Sequence, residues 1–198
     1  MKILIGCERS GVIREAFKAR GHDATSCDLM PTQIPGQHYQ GDIFDIIDYP
    51  WDMAIFHPEC THLSVSGAAH FSAKKMDGRQ QAAVAFFMRI TRRSQHIKRT
   101  AIENPICIMS SLWRKPDQII QPNQFGEDAS KATCLWLKEL PPLLPTGFAP
   151  PRMVNGKPRW GNQCDSGQNK LGPSETRAQE RSETYQGIAD AMAMQWSY

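Results

Sequence analysis

Several features that would assign a protein quickly are missing from this sequence. Its 198 residues include no apolar run long enough to cross a bilayer. The opening run Met1 to Gly6 is too short for a secretory leader, and polar residues follow at once. These absences lead to the expectation of a soluble, intracellular protein with no membrane partner. No two of the six cysteines stand close enough for a CxxC pair. That disfavours a zinc deaminase, and reduced thiols are favoured over a disulfide framework. No lysine of the Walker type follows the first glycines, so a nucleoside triphosphate is disfavoured. There is no internal repeat and little excess charge: 23 Lys and Arg stand against 20 Asp and Glu, a net +3. Such a balance does not by itself announce a nucleic-acid surface. What is present is a hydrophobic content of 40%, enough for one globular domain with a real core and a small appended lobe.

The first half alternates strand-like and helix-like segments. Lys2 to Ile5 reads as a buried strand, and Gly11 to Arg20 as a helix with Gly21 as its stop. Strands are expected at Asp23 to Cys27, just before Gly41-Asp42, at Trp51 to Phe56 and at Thr100 to Ile102. A helix over Ala82 to Ile90 lies between the last two. This alternation predicts an α/β fold with a doubly wound, mostly parallel, Rossmann-like sheet. After Pro105 the periodicity fades and prolines cluster from Pro141 to Pro158. Lys131 to Leu140 is expected to be a short amphipathic helix. A last helical region begins at Ser174 or Thr176, with Thr184 to Trp196 its clearest part. The expected division is 1–105 as a cofactor-binding and catalytic core, 106–172 as a short, irregular, basic lobe for substrate, and 173–198 as a helix returning to the core.

In doubly wound sheets, ligands bind at the carboxyl ends of the strands. Every polar cluster in the first half falls at such an end. Gly6-Cys7-Glu8-Arg9-Ser10-Gly11 joins the first strand to the first helix, where backbone N–H groups can face a ligand. Asp28 closes the next strand, a position suited to ribose hydroxyls. Asp42 follows the third strand and can reach an adenine edge. Together these residues suggest a nucleoside-containing cofactor. Cys60, in Phe56-His57-Pro58-Glu59-Cys60-Thr61, follows an apolar strand and has polar neighbours, so it is a candidate nucleophile. An inert buried thiol, or a metal site with His57 and His62, are the competing readings; no second ligand pair supports a metal. Glu103 in Glu103-Asn104-Pro105 is a candidate acid for the same cleft.

Pro58-Glu59-Cys60-Thr61 resembles the Pro-Cys-Gln motif of C5-cytosine DNA methyltransferases, and Glu103-Asn104-Pro105 resembles their Glu-Asn-Val motif. Over nearly its whole length the chain is similar to small DNA cytosine methyltransferases of phages and prophages. Residues 57–63, 131–137 and 185–192 carry that likeness. The resemblance implies a class I methyltransferase fold, S-adenosyl-L-methionine as methyl donor, and double-stranded DNA with a flipped target base as substrate. The expected location is the cytoplasm, that of the host if the chain is phage-encoded. In the implied mechanism the thiolate matching Cys60 adds to carbon 6 of cytosine. The acid matching Glu103 protonates ring nitrogen 3, and carbon 5 then takes the methyl group. Gly6, Cys7, Glu8, Ser10, Gly11, Asp28, Asp42 and Pro58 are the implied cofactor contacts. Asn104, Ser64, Arg159 and Arg181 are the implied substrate contacts.

The motifs depart from the family at identifiable places. The Phe-x-Gly-x-Gly loop is replaced by Gly6-Cys7-Glu8-Arg9-Ser10-Gly11. Thr61 stands where Gln is usual, and Glu59 where Pro is common. A carboxylate beside the thiol opposes thiolate formation, so a compensating cation is required. An arginine of the C-terminal half is the expected source. The short stretch Ile106 to Gly172 offers Arg114, Lys115, Lys131, Arg152, Lys157, Arg159 and Lys170, with Trp113 and Trp160 among them. Such a set suits phosphate contact and base stacking, or simply a solvated face with core tryptophans. It is too short to read much sequence, so low or relaxed specificity is expected. Two alternatives remain beside DNA methylation: the same chemistry on RNA or a free pyrimidine nucleotide, and a non-catalytic cofactor- or DNA-binding module.

Overall fold

The computed structural model describes residues 1–172 and 183–198. Strand β1 (Lys2–Gly6) turns Ile3 and Ile5 to one face and Leu4 to the other. Helix α1 (Val12–Lys18) buries Ile13 and Phe17 on the Ile3–Ile5 side. Strands β2 (Asp23–Asp28), β3 (His38–Gln40) and β4 (Met53–Phe56) follow. Helices α2 (Phe71–Met76) and α3 (Arg79–Arg93) lead into β5 (Arg99–Pro105). Beyond it come α4 (Met109–Leu112), β6 (Gln118–Ile120) and β7 (Thr133–Lys138). A hairpin of β8 (Arg152–Val154) and β9 (Lys157–Arg159) precedes the last helix, α5 (Gln186–Gln195).

Seven strands form one mixed sheet in the order β3-β2-β1-β4-β5-β7-β6, and β8-β9 form a separate ribbon. The pairs from β3 to β5 are parallel, whereas β7 runs antiparallel to both β5 and β6. Through β5 this is the doubly wound order, with helices on both faces. On one face α1 and α5 pack over Ile3, Ile5, Met53, Ile55, Ala101 and Leu135. On the other, Phe87 and Ile90 of α3 pack over Leu4, Ala54, Phe56, Ile102 and Trp136. The period-2 alternation along each strand assigns these residues to opposite layers.

The segment after Pro105 differs from expectation. Residues 133–138 are a sheet strand and not an amphipathic helix. Thr133, Cys134, Leu135 and Trp136 are all buried, with Leu135 in one core layer and Cys134 and Trp136 in the other. A strand covered on both faces reads as a continuous apolar run, which periodicity alone does not separate from a buried helix. The region 106–172 is therefore not irregular throughout, because β6 and β7 extend the main sheet. Trp113 belongs to the core packing: it lies edge-on to Phe87, 5.7 Å between ring centroids, and next to Trp136. Ser174 and Thr176, the expected start of the last helical region, lie outside the described residues. Among the described residues no helix is long and apolar enough to cross a membrane.

Candidate active site

Strand order creates the site. The chain leaves β1 toward β2 and β3 and then returns to the other side of β1 as β4. The carboxyl ends of β1 and β4 therefore border the crevice where the winding reverses. Gly6 is paired with Phe56, and the N–H of His57 donates to the Gly6 carbonyl at 2.9 Å. A side chain at position 6 would meet the Phe56 ring at 2.7 Å, so this approach requires glycine. The Cys60 loop is thus laid against the first β–α turn. In that turn Cys7 is left-handed (φ 58°), and Gly11, also left-handed, stands at the N-cap of α1.

Parallel register then brings in the carboxylate. Ile102 of β5 lies opposite Phe56 of β4, so Glu103 emerges beside His57. His57 Nδ1 is 3.4 Å from Glu103 Oε2. The neighbouring Asn104 is fully buried and donates from Nδ2 to the Pro58 carbonyl at 2.7 Å, fixing the base of the Cys60 loop. Antiparallel β7 supplies the third group. Because Thr133 faces Pro105, the amino end of β7 lies at the carboxyl end of β5 and carries Lys131 with it. The Lys131 backbone N–H donates to Gln121 Oε1 at 3.0 Å, which holds that approach in place.

Cys60, Glu103, Asn104, Lys131, Pro58, Cys7, Glu8, Ser10 and Asp28 line one cavity of about 460 Å³. A second cavity of about 690 Å³ shares Cys7, Asp28, His57 and Glu59 with the first, and reaches Asp42 and Phe86. Volumes of this size suit small ligands and cofactors. Asp28 accepts from the Met30 N–H at 2.9 Å, and Asp42 from the Phe44 N–H at 3.0 Å. Each thereby fixes a turn through one oxygen. Gly6 and Gly11 shape the turn without lining either cavity.

Two expected substrate contacts, Ser64 and Arg159, are not brought into these cavities. Ser64 is turned to Ser66, with hydroxyls 2.9 Å apart, at the start of the 3-10 turn Val65–His70. Arg159, on β9, donates to the carbonyls of Pro158, Asp165 and Ser166 and so braces its own lobe. Arg181 lies outside the described residues.

The electrostatics distinguish the thiols. Burial pushes the Cys60 thiol above its usual range, and Glu103 adds to this; Lys131 and the backbone N–H of Cys60 oppose them. Glu59 also raises it but is the weakest of these influences, consistent with its exposure to solvent. The Cys7 thiol is raised by burial, then by Asp28, Cys27 and Asp42, and nothing opposes the rise. Cys60 is thus the cavity thiol with a cation to help it ionise. Among the described residues that cation is Lys131, where an arginine of the C-terminal half was expected. For Glu103, burial favours the protonated form, but the His57 hydrogen bond, Lys131 and Thr133 outweigh it and hold the carboxyl below its usual value. The resting pair is therefore a thiol and a carboxylate.

Sequence reasoning named His57 only as a metal candidate and Lys131 only as a phosphate contact. The signal that relates them to Glu103 and Cys60 is strand register, which one sequence does not contain. Among the described residues no group of three or more His, Cys, Asp or Glu is placed to hold a metal ion. No family model matches the chain, and no curated protein matches it.

Proposed function

We propose that the protein transfers a methyl group from S-adenosyl-L-methionine to carbon 5 of cytosine in DNA, by way of a covalent Cys60 adduct and with little sequence specificity. The observation that carries this reading is the meeting of Cys60, Glu103 and Lys131 in one cavity at the switch point of the sheet. A nucleophile, an acid and a cation are what addition to a pyrimidine ring needs.

The resting thiol and carboxylate set the order of events. Cys60 gives its proton to Glu103, and Glu103 passes it to ring nitrogen 3 as the sulfur adds to carbon 6. The net charge of the site is unchanged, and Lys131 stabilises the separated charge during the transfer. His57 holds Glu103 through Oε2, and Asn104 holds the loop that aims Cys60. Loss of the carbon-5 proton to water, departure of the thiolate and return of the nitrogen-3 proton through Glu103 to Cys60 later restore the ring and the resting pair. The donor set fits the cofactor: Asp28 and Asp42 would hold its nucleoside end from the cavity that both line. When bound, the cofactor supplies the electrophilic methyl group. In duplex DNA the base must leave the stack to reach so enclosed a thiol.

DNA carrying 5-fluorocytosine tests this directly, because fluorine at carbon 5 blocks the final proton loss. With cofactor present, the expected result is a denaturation-resistant adduct that maps to Cys60. Absence of any adduct, or full methylation by a Cys60→Ser protein, refutes the reading.

One observation favours a second reading, the same chemistry on a free pyrimidine nucleotide. Arg152 is bound to Asp165 and the Gln163 carbonyl, and Arg159 to three carbonyls, so both guanidinium groups are engaged within the lobe. Methyl transfer to dCMP but not to DNA would establish it.

A further inference from the structure

We propose that His57 is the base that takes the carbon-5 proton at the end of the reaction and passes it to water. The inference rests on the methyl-transfer reading above and gives its last step a residue. Methyl transfer leaves carbon 5 with both a methyl group and a hydrogen, and the ring is restored only when that hydrogen leaves as a proton. Carbon 5 meets the methyl donor where the Cys60 cavity and the second cavity adjoin. Cys7, Asp28, His57 and Glu59 line both cavities and so form the wall between them. Three of these four are poorly suited to accept the proton. The Cys7 thiol is pushed up by burial and stays protonated. Asp28 is fixed on the Met30 N–H at 2.9 Å. Glu59 is exposed to solvent, where water competes for its oxygens.

His57 is the enclosed member of the wall, with a side chain only 10% exposed. Its Nδ1 lies 3.4 Å from Glu103 Oε2. Glu103 rests as a carboxylate, which only accepts, so Nδ1 carries the ring hydrogen and Nε2 keeps its lone pair. Nε2 is buried and has no hydrogen-bond partner among the described residues. A buried acceptor without a partner costs about 1–3 kcal/mol, so a bare ring nitrogen held against a catalytic carboxylate signals a role in proton transfer. The same carboxylate favours the imidazolium that forms when Nε2 takes a proton.

The step balances. The carbon-5 to hydrogen bond breaks, and its electron pair becomes the double bond between carbons 5 and 6. The pair of the carbon-6 to sulfur bond leaves with Cys60 as the thiolate. The proton goes to His57 Nε2 and from there to water. It is distinct from the nitrogen-3 proton, which returns through Glu103 to Cys60. Glu103 is ionised at this stage, having given its proton to nitrogen 3, so the imidazolium forms beside a counter-charge.

Two DNA substrates test the assignment on the full chain. DNA with tritium at carbon 5 of cytosine reports proton loss as tritium released to water. DNA carrying 5-fluorocytosine reports addition and methyl transfer alone, since no proton is lost from it. In His57→Asn the amide keeps a donor for Glu103 but supplies no base. Tritium release is expected to fall about a hundredfold or more, the range of a lost general base. Formation of the 5-fluorocytosine adduct should slow far less, and the methylated Cys60 adduct of ordinary cytosine should accumulate. His57→Gln repeats the test, so the outcome does not depend on the folding of one variant. Tritium release near the wild-type rate, in a variant that forms the adduct, overturns the assignment. An equal loss in both readouts overturns it too, because His57 would then only support Glu103. Failure of the wild-type protein to form the 5-fluorocytosine adduct overturns the methyl-transfer reading and the inference with it.

Discussion

Replacing Arg14 by methionine tests how the cavity wall is held. Arg14 is a fully buried charge on α1. Its Nη1 donates to Ser26 Oγ at 2.8 Å and to Thr32 Oγ1 at 3.1 Å, its Nη2 to the Ile34 carbonyl at 2.5 Å, and its Nε to Glu15 Oε1 at 2.8 Å. The guanidinium thus ties helix α1 and strand β2 to the loop between β2 and β3, and that loop contributes Met30 and Gln33 to the Cys60 cavity. Breaking a buried ionic cluster by removing one member costs roughly 3–5 kcal/mol. The low end applies here, because the partners are not all stranded. Ser26 keeps His38, Thr32 keeps the Ile34 carbonyl, and the partly exposed Glu15 keeps Lys18. Methionine also preserves most of the aliphatic stem. A loss of about 3 kcal/mol is expected, or about 6–12 °C in Tm for a domain of this size. Urea unfolding followed by tryptophan fluorescence measures it. A loss below about 1 kcal/mol would refute the argument that this guanidinium holds the loop.

Three further outcomes follow from the site. Lys131→Met removes a cation that lowers the Cys60 thiol pKa, so the thiolate fraction falls and adduct formation at pH 8 should slow about tenfold. The deficit should close as pH rises, and a deficit constant with pH would show that Lys131 does not act on ionisation. For Glu103 the folded pKa lies below the ordinary 4.5, so as pH falls the unfolded chain takes up this proton first. Its contribution to stability is complete above about pH 5 and is lost as pH drops through the folded value. Glu103→Gln should therefore lose less stability between pH 5 and 3 than the wild type, and parallel urea curves would count against it. Asn104→Ala leaves the Pro58 carbonyl without its 2.7 Å donor, an expected loss of about 1–3 kcal/mol with a larger fall in adduct rate than in substrate affinity.

Much of the site was legible because its chemistry is local. Cys60 lies in the loop just beyond β4, and Glu103 within the last three residues of β5; a polar residue close to the end of a buried strand is held there by covalent connection. The same holds for Asp28, and for the glycine-bearing turn after β1. The period-2 and period-3.6 patterns fixed the type of these elements, with ends shifted by one to three residues. The pattern failed at residues 133–138, where burial on both faces removed the alternation that separates strand from helix.

Taken alone, the sequence determined which groups could react: a thiol, a carboxylate and a glycine-bearing turn, each at the end of a strand. Tertiary structure decided which of them meet. Register between β4 and β5 put His57 against Glu103, and the antiparallel direction of β7 delivered Lys131 to the carboxyl end of a parallel sheet. The same packing turned Arg159 and Ser64 to other partners. Strand direction and register depend on contacts between segments distant in the chain, so they become fixed only when the core closes. For that reason Cys60 was legible as a candidate from its neighbours, and the cation beside it was not.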